Sequence, residues 1–212
     1  MTEASPSSRP ARSAGRELKE KGLFEAARAV FAEEGFRGAT TAEIARRAGV
    51  PKANLHYYFP TKEALYRAVT EEILTAWLSA ASSFDEKDDP EEAIKAYIGA
   101  KMDMARADPL GSRIWASEIL RGAPVIKDFL ETTLAEWLAS REAIMRRWIA
   151  AGKIRPLEPR YFFYMIWATT QHYADFEDQI RALNGGAPLT DEQFQKAKAQ
   201  VVDTILRGVT PL

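Results

Sequence analysis

Cysteine is absent from all 212 residues, so neither a disulfide framework nor a thiolate metal site is open to this chain. Only two histidines occur, His56 and His172, and neither has an acid–serine arrangement around it. G-x-G-x-x-G, the P-loop, H-E-x-x-H and a cysteine nucleophile are all missing. The acidic stretch from Asp85 to Glu92 lacks the glycine and the ligand spacing of a calcium loop. No basic-then-apolar leader opens the chain, and no apolar run approaches the length of a membrane span. Strand-type alternation bounded by hairpin turns is also missing. These absences exclude the common enzyme classes, and a cytoplasmic, all-α protein without metal or cofactor is expected.

Charge of one sign is scarce overall, with a net of −1, but it is unevenly spread: residues 1–67 carry +4 and the remainder −5. A basic front on an acidic body points to a front that meets a polyanion. Residues 1–15, rich in Ser, Pro, Ala and Arg, read as a mobile arm. From about Arg16 the pattern is helical, with Leu23, Ala27, Val30 and Phe31 on one face and Gly35 as the stop. Thr40 opens a capping box in which Glu43 reaches back. A brief helix with Ile44, Ala45 and Ala48 inside ends at Gly49, and Pro51 starts the next. Thr61 caps a longer helix whose apolar face runs Leu65, Val69, Ile73 and Trp77. Beyond a solvated acidic loop at residues 85–89, every segment is again helical. Asp89-Pro90 and Asp108-Pro109 are starts, Gly122 and Gly152 stops, and Thr190–Gln193 a second capping box. About nine helices are expected, with domains at 16–63 and 64–212.

Helices of one or two turns do not persist alone in water. The pair around Gly49 therefore implies packing on the first helix, which is the form of a helix-turn-helix. The second helix of that motif offers its leading residues to the major groove. Lys52, Ala53 and Asn54 are the outward residues there; Asn pairs with adenine and Lys donates to guanine or phosphate. Tyr57 and Tyr58 offer hydroxyls at the far end. Thr40, Thr41 and Lys62 lie at helix N-termini, where free N–H groups favour phosphate. The bland alternative makes these residues only caps and half-buried core.

The segment TAEIARRAGVPKANLHYYFPTKEALY resembles the DNA-binding domain of the TetR family of transcriptional regulators. The match rests on Thr41, Ile44-Ala45, Ala48-Gly49-Val50, Tyr58-Phe59, Lys62 and Leu65, across about residues 18–70. His56 and Pro51 depart from the family pattern, and two readings of His56 stay open, one toward DNA and one toward the core as a neutral packed imidazole. GAPVIKDFL, GKIRPLEP and FYMIWATTQHYADF resemble the pyrimidine-utilisation branch of the family. That resemblance implies a homodimeric repressor, paired through its last two long helices and released from double-stranded operator DNA by uracil or thymine.

The body supports a pocket on its own terms. A pyrimidine needs a stacking surface and a donor–acceptor edge. Trp167 offers the first and Gln171 or His172 the second, with Tyr173 beside them and Trp77, Trp115 and Glu118 from other helices. Gln171, His172 and Tyr173 equally suit a dimer interface. Trp137 and Trp148 read as core. A repressor sensing a larger apolar or cationic compound is the alternative.

Overall fold

The computed structural model describes residues 11–86 and 88–211, and among them every regular element is helical. Two compact units divide between Val69 and Thr70. The boundary lies six residues beyond the expected 63/64 and falls inside a helix.

The first unit is built on α1 (Ala11–Gly38), α2 (Thr41–Arg47), α3 (Lys52–Tyr58) and the start of α4 (Lys62–Ser79). Helix α1 begins at Ala11, so residues 11–15, read as part of an arm, are already helical; residues 1–10 of that arm lie outside the described residues. Gly35 leaves helical geometry at φ 66° and ends the straight run of α1. Leu23, Ala27, Val30 and Phe31 are buried against Ile44, Ala45 and Leu55, with Leu65, Tyr66 and Val69 completing the core. Fully burying a side chain such as Ile44 or Leu55 contributes roughly 2–3 kcal/mol, which is why such short helices persist here.

The second unit holds the remainder of α4, the short α5 (Ser83–Glu86), α6 (Pro90–Ala107) and α7 (Pro109–Leu120). It continues through α8 (Lys127–Phe129), a π-helical turn at Leu130–Leu134 and α9 (Ala135–Ala150). Three more helices, α10 (Pro159–Asp175), α11 (Glu177–Leu183) and α12 (Asp191–Val209), complete it. The segments beyond nine arise from breaks that periodicity does not show: the π turn before α9, the bend at Phe176, and α5, which occupies part of the expected acidic loop. Asp89 and Asp108 cap α6 and α7 as expected. At α12 both halves of the capping box form, Gln193 N–H to Thr190 Oγ1 at 3.2 Å and Thr190 N–H to Gln193 Oε1 at 2.9 Å. The core of this unit gathers Ile94, Tyr97, Ile98 and Met102 of α6 with Met145 and Trp148 of α9 and Phe162, Phe163 and Ile166 of α10.

Candidate functional site

The α2–α3 turn owes its shape to Gly49. At φ 66° this residue lets Val50 N–H reach Ala45 O at 3.0 Å and its own N–H reach Arg46 O at 3.2 Å. Those two bonds close a Schellman motif that satisfies carbonyls at the end of α2. Pro51 then serves as N-cap of α3, one residue earlier than the expected first helical turn. Leu55 anchors α3 in the core, so the opposite face is left outside: Pro51, Lys52, Ala53 and Asn54 are all exposed. Tyr57 is 76% exposed and meets the half-buried Tyr58 edge-on at 5.3 Å.

Thr40 caps α2 by accepting Glu43 N–H at 3.1 Å, and Thr41 opens the helix half-buried. The capping box is only half made. Glu43 does not reach back; its carboxylate accepts from Arg46 at 2.7 Å and Arg47 at 2.8 Å. The two guanidiniums hold that carboxyl down to about 2. Arg46 and Arg47 are basic groups of this surface that the sequence reading missed. Their positions three and four residues after Glu43 were the available signal.

Lys62 differs from expectation too. Its ammonium donates to Ala39 O at 2.9 Å and Arg37 O at 3.5 Å, and lies 4.6 Å from the centre of the Phe36 ring. It ties the end of α1 to the start of α4. His56 is solvent-exposed rather than packed, with Nδ1 3.3 Å from Pro60 O.

In the second unit a cavity with a free volume of about 40 Å³ lies among α4, α6, α7, the π turn, α9 and α10. Four indoles wall it: Trp77, Trp115, Trp137 and Trp167. Trp77 and Trp115 meet edge-on at 5.5 Å, and Trp137 and Trp167 lie tilted at 6.2 Å. Trp167 Nε1 donates to Tyr97 Oη at 2.8 Å. Burial pushes the Tyr97 phenol well above its ordinary range, so it stays protonated. Lys101, 7% exposed, lies with Nζ 4.7 Å from the Trp77 ring centre. Burial pulls its ammonium down to about 8, against support from Asp175. Gln171 supplies the remaining polar side chain of the wall.

Of the expected pocket residues, Trp77, Trp115, Trp167 and Gln171 come together here. Glu118 does not line the cavity. It is buried, and its Oε1 accepts Val125 N–H at 2.8 Å, bracing the loop after α7. His172 is exposed and stacks on Phe176 at 4.9 Å. Tyr173 turns toward Phe194 along a separate open groove with Arg106 and Glu177. Both stand on faces of α10 roughly 100° and 200° away from Gln171. Trp137, read as core, belongs to the cavity wall, whereas Trp148 is core as expected. Tyr97 and Lys101 were missed. A lysine one turn after a tyrosine on an otherwise apolar face was the signal.

Residues 23–69 match the family of bacterial regulatory proteins, tetR family, and residues 70–212 match the YcdC-like protein, C-terminal region. The chain belongs to the TetR family and is a helix-turn-helix transcriptional regulator, of a class that binds operator DNA, dimerises and takes small-molecule effectors. Both matched domains are those of regulators, not enzymes. Over its whole length it is 40% identical to the HTH-type transcriptional regulator RutR of Escherichia coli (strain K12), covering 100% of each chain. The fold is shared with the TetR family regulator PfmR from Thermus thermophilus, at a TM-score of 0.67 and 21% identity over 92% of this chain and 98% of that one. FadR from Bacillus subtilis, solved in complex with stearoyl-CoA, also shares it at a TM-score of 0.68 and 19% identity, over 89% and 98%. No described helix is long and apolar enough to cross a membrane.

Proposed function

We propose that this protein is a cytoplasmic, homodimeric repressor of pyrimidine-utilisation genes that leaves its operator when uracil or thymine enters the tryptophan-walled cavity. The observation that carries the reading is the wall itself. Four indoles and a phenol supply flat surfaces for a planar base, and only Lys101 and Gln171 supply polar side chains beside them. The full-length similarity to RutR and the resemblance of residues 122–130, 152–159 and 163–176 to the pyrimidine branch point the same way.

The small free volume supports a small effector over a larger one. About 40 Å³ holds on the order of three waters, so a long acyl chain such as that of stearoyl-CoA has no room. A cationic ligand would meet the Lys101 ammonium. Even a single base enters only by displacing wall side chains, and that requirement gives the effector something to change. Trp77 lies on α4, the helix whose first turns belong to the DNA-reading unit. A ligand acts only through different affinities for two conformations. Displacing Trp77 favours one in which the two reading heads no longer match half-sites about 34–36 Å apart. Lys52 and Asn54 read bases, with Thr40, Thr41, Tyr57 and Tyr58 on phosphates and Lys62 holding the head together. Two copies pair through α10 and α12. Tyr161, Tyr164 and Met165 of α10, at 69%, 47% and 45% exposure, support that pairing, since apolar surface of this kind is covered in oligomers.

Titration calorimetry against uracil and thymine, with operator release followed by gel shift, tests the proposal. Binding of one base accompanied by loss of operator affinity is expected. Failure of both to bind would remove pyrimidines from the function.

A further inference from the structure

The cavity wall is unbalanced in hydrogen-bonding character. Lys101 is buried, and among the described residues its ammonium makes no hydrogen bond and no close ion pair; it only overlies the Trp77 ring. Asp175, the carboxylate that supports its charge, does not line the cavity and accepts instead from Ser112 Oγ. The Trp137 indole N–H is buried without an acceptor. Tyr97 Oη accepts from Trp167, which leaves its own O–H to donate. Gln171 can supply an acceptor, and no carboxylate lines the space. Lys101 Nζ, Trp137 Nε1 and the Tyr97 O–H are thus three donors without a side-chain acceptor on residues that line the cavity, where Gln171 offers the one side-chain acceptor. A buried donor without a partner is costly, and a hydrogen bond to a charged donor recovers more than one to a neutral donor.

We infer that the cavity selects among pyrimidine bases by acceptor count, and binds best a 2,4,6-trioxopyrimidine anion, the barbiturate ion, ahead of uracil and thymine. This rests on the pyrimidine reading above. Uracil brings two ring carbonyls and two N–H donors, so part of its edge opposes donors on the wall. Barbiturate adds a third carbonyl and a delocalised negative charge at neutral pH, at the cost of one more oxygen in the plane. Its charge takes the place of the missing close partner of Lys101. Cytosine exchanges one carbonyl and a ring N–H for an amino group and a bare ring nitrogen, so it keeps two acceptor atoms but brings three N–H hydrogens against uracil's two, and it binds more weakly than uracil.

The test is calorimetry of the full chain at neutral pH with barbituric acid, uracil, thymine and cytosine, repeated on Lys101→Met and Trp137→Phe. Operator binding without ligand is the control for folding. Barbiturate binding about tenfold tighter than uracil is expected, the effect of one hydrogen bond to a charged group, with cytosine weaker than uracil. In Lys101→Met that advantage should shrink to about twofold or less. Uracil binding as tightly as barbiturate to the wild type overturns the inference and leaves the pyrimidine reading standing. A barbiturate preference that survives in Lys101→Met overturns the role of Lys101. Binding of none of the four bases removes the pyrimidine reading and this inference together. If Lys101→Met does not fold, the wild-type series still decides the ranking, and Trp137→Phe, which should narrow the barbiturate advantage, decides the donor argument.

Discussion

Trp167 and Tyr97 lie 70 residues apart in the chain, yet a 2.8 Å hydrogen bond from indole Nε1 to phenol Oη joins α10 to α6 across the cavity wall. The phenol is deeply buried, and around it Phe84, Trp137 and Phe163 contribute rings rather than other acceptors.

Tyr97→Phe should therefore destabilise the protein by about 1 kcal/mol, because it removes the only acceptor shown for the half-buried Trp167 N–H. The double variant with Trp167→Phe should lose less than the sum of the two single losses. Chemical denaturation of the four proteins measures this, and strict additivity would mean that the bond contributes nothing to stability.

Trp77→Ala and Gln171→Ala should weaken the uracil response of operator release by about tenfold or more, a loss of roughly 1.4 kcal/mol in effector binding. Affinity of the ligand-free protein for operator should stay within about twofold. His172→Ala, which changes a residue away from the cavity, should leave the response as it is. A gel-shift titration with uracil separates these outcomes, and an undiminished response in both cavity variants would place the effector elsewhere.

In the reading head, Asn54→Ala should relax base preference at one operator position by about 1–3 kcal/mol. Lys62→Met should act differently, since its ammonium is bound to the carbonyls of Ala39 and Arg37. It should lower stability by about 1 kcal/mol while the dependence of operator affinity on salt keeps its slope. A slope reduced by about one would put Lys62 on a phosphate after all.

Lys101 carries a pH signature. Its ammonium is held down to about 8 by burial, against an ordinary 10.5. Between those values the unfolded chain binds the extra proton, so stability must rise with pH across the window. Against Lys101→Met, the wild type should gain on the order of 1–3 kcal/mol from pH about 8 to about 10.5. Parallel stability curves would show that the ammonium is solvated in the folded protein.

The head is legible in the sequence because its signals are local. Thr40, Gly49, Pro51 and Thr61 act on backbone groups within four residues of themselves, and Leu55 sets which face of α3 is left outside. Local grammar failed where a side chain had a choice. Glu43 could reach back to Thr40 or forward to Arg46 and Arg47, and two guanidiniums outcompete one backbone N–H. Lys62 found carbonyls 23 and 25 residues earlier in the chain. In the body, periodicity marked α10 as amphipathic but not which face would meet which neighbour, so Gln171 entered the cavity wall while His172 and Tyr173 did not.

Sequence alone determined that every regular element among the described residues is helical, that a helix-turn-helix occupies the basic front, and that Lys52, Ala53 and Asn54 are presented outward. Each follows from short-range periodicity and capping, which the chain carries whatever its helices pack against. Only the tertiary structure decided that four tryptophans and Lys101 enclose one space and that Glu118 braces a loop instead. Those contacts join residues tens of positions apart, and their geometry depends on how helices rotate and cross, which no local pattern encodes.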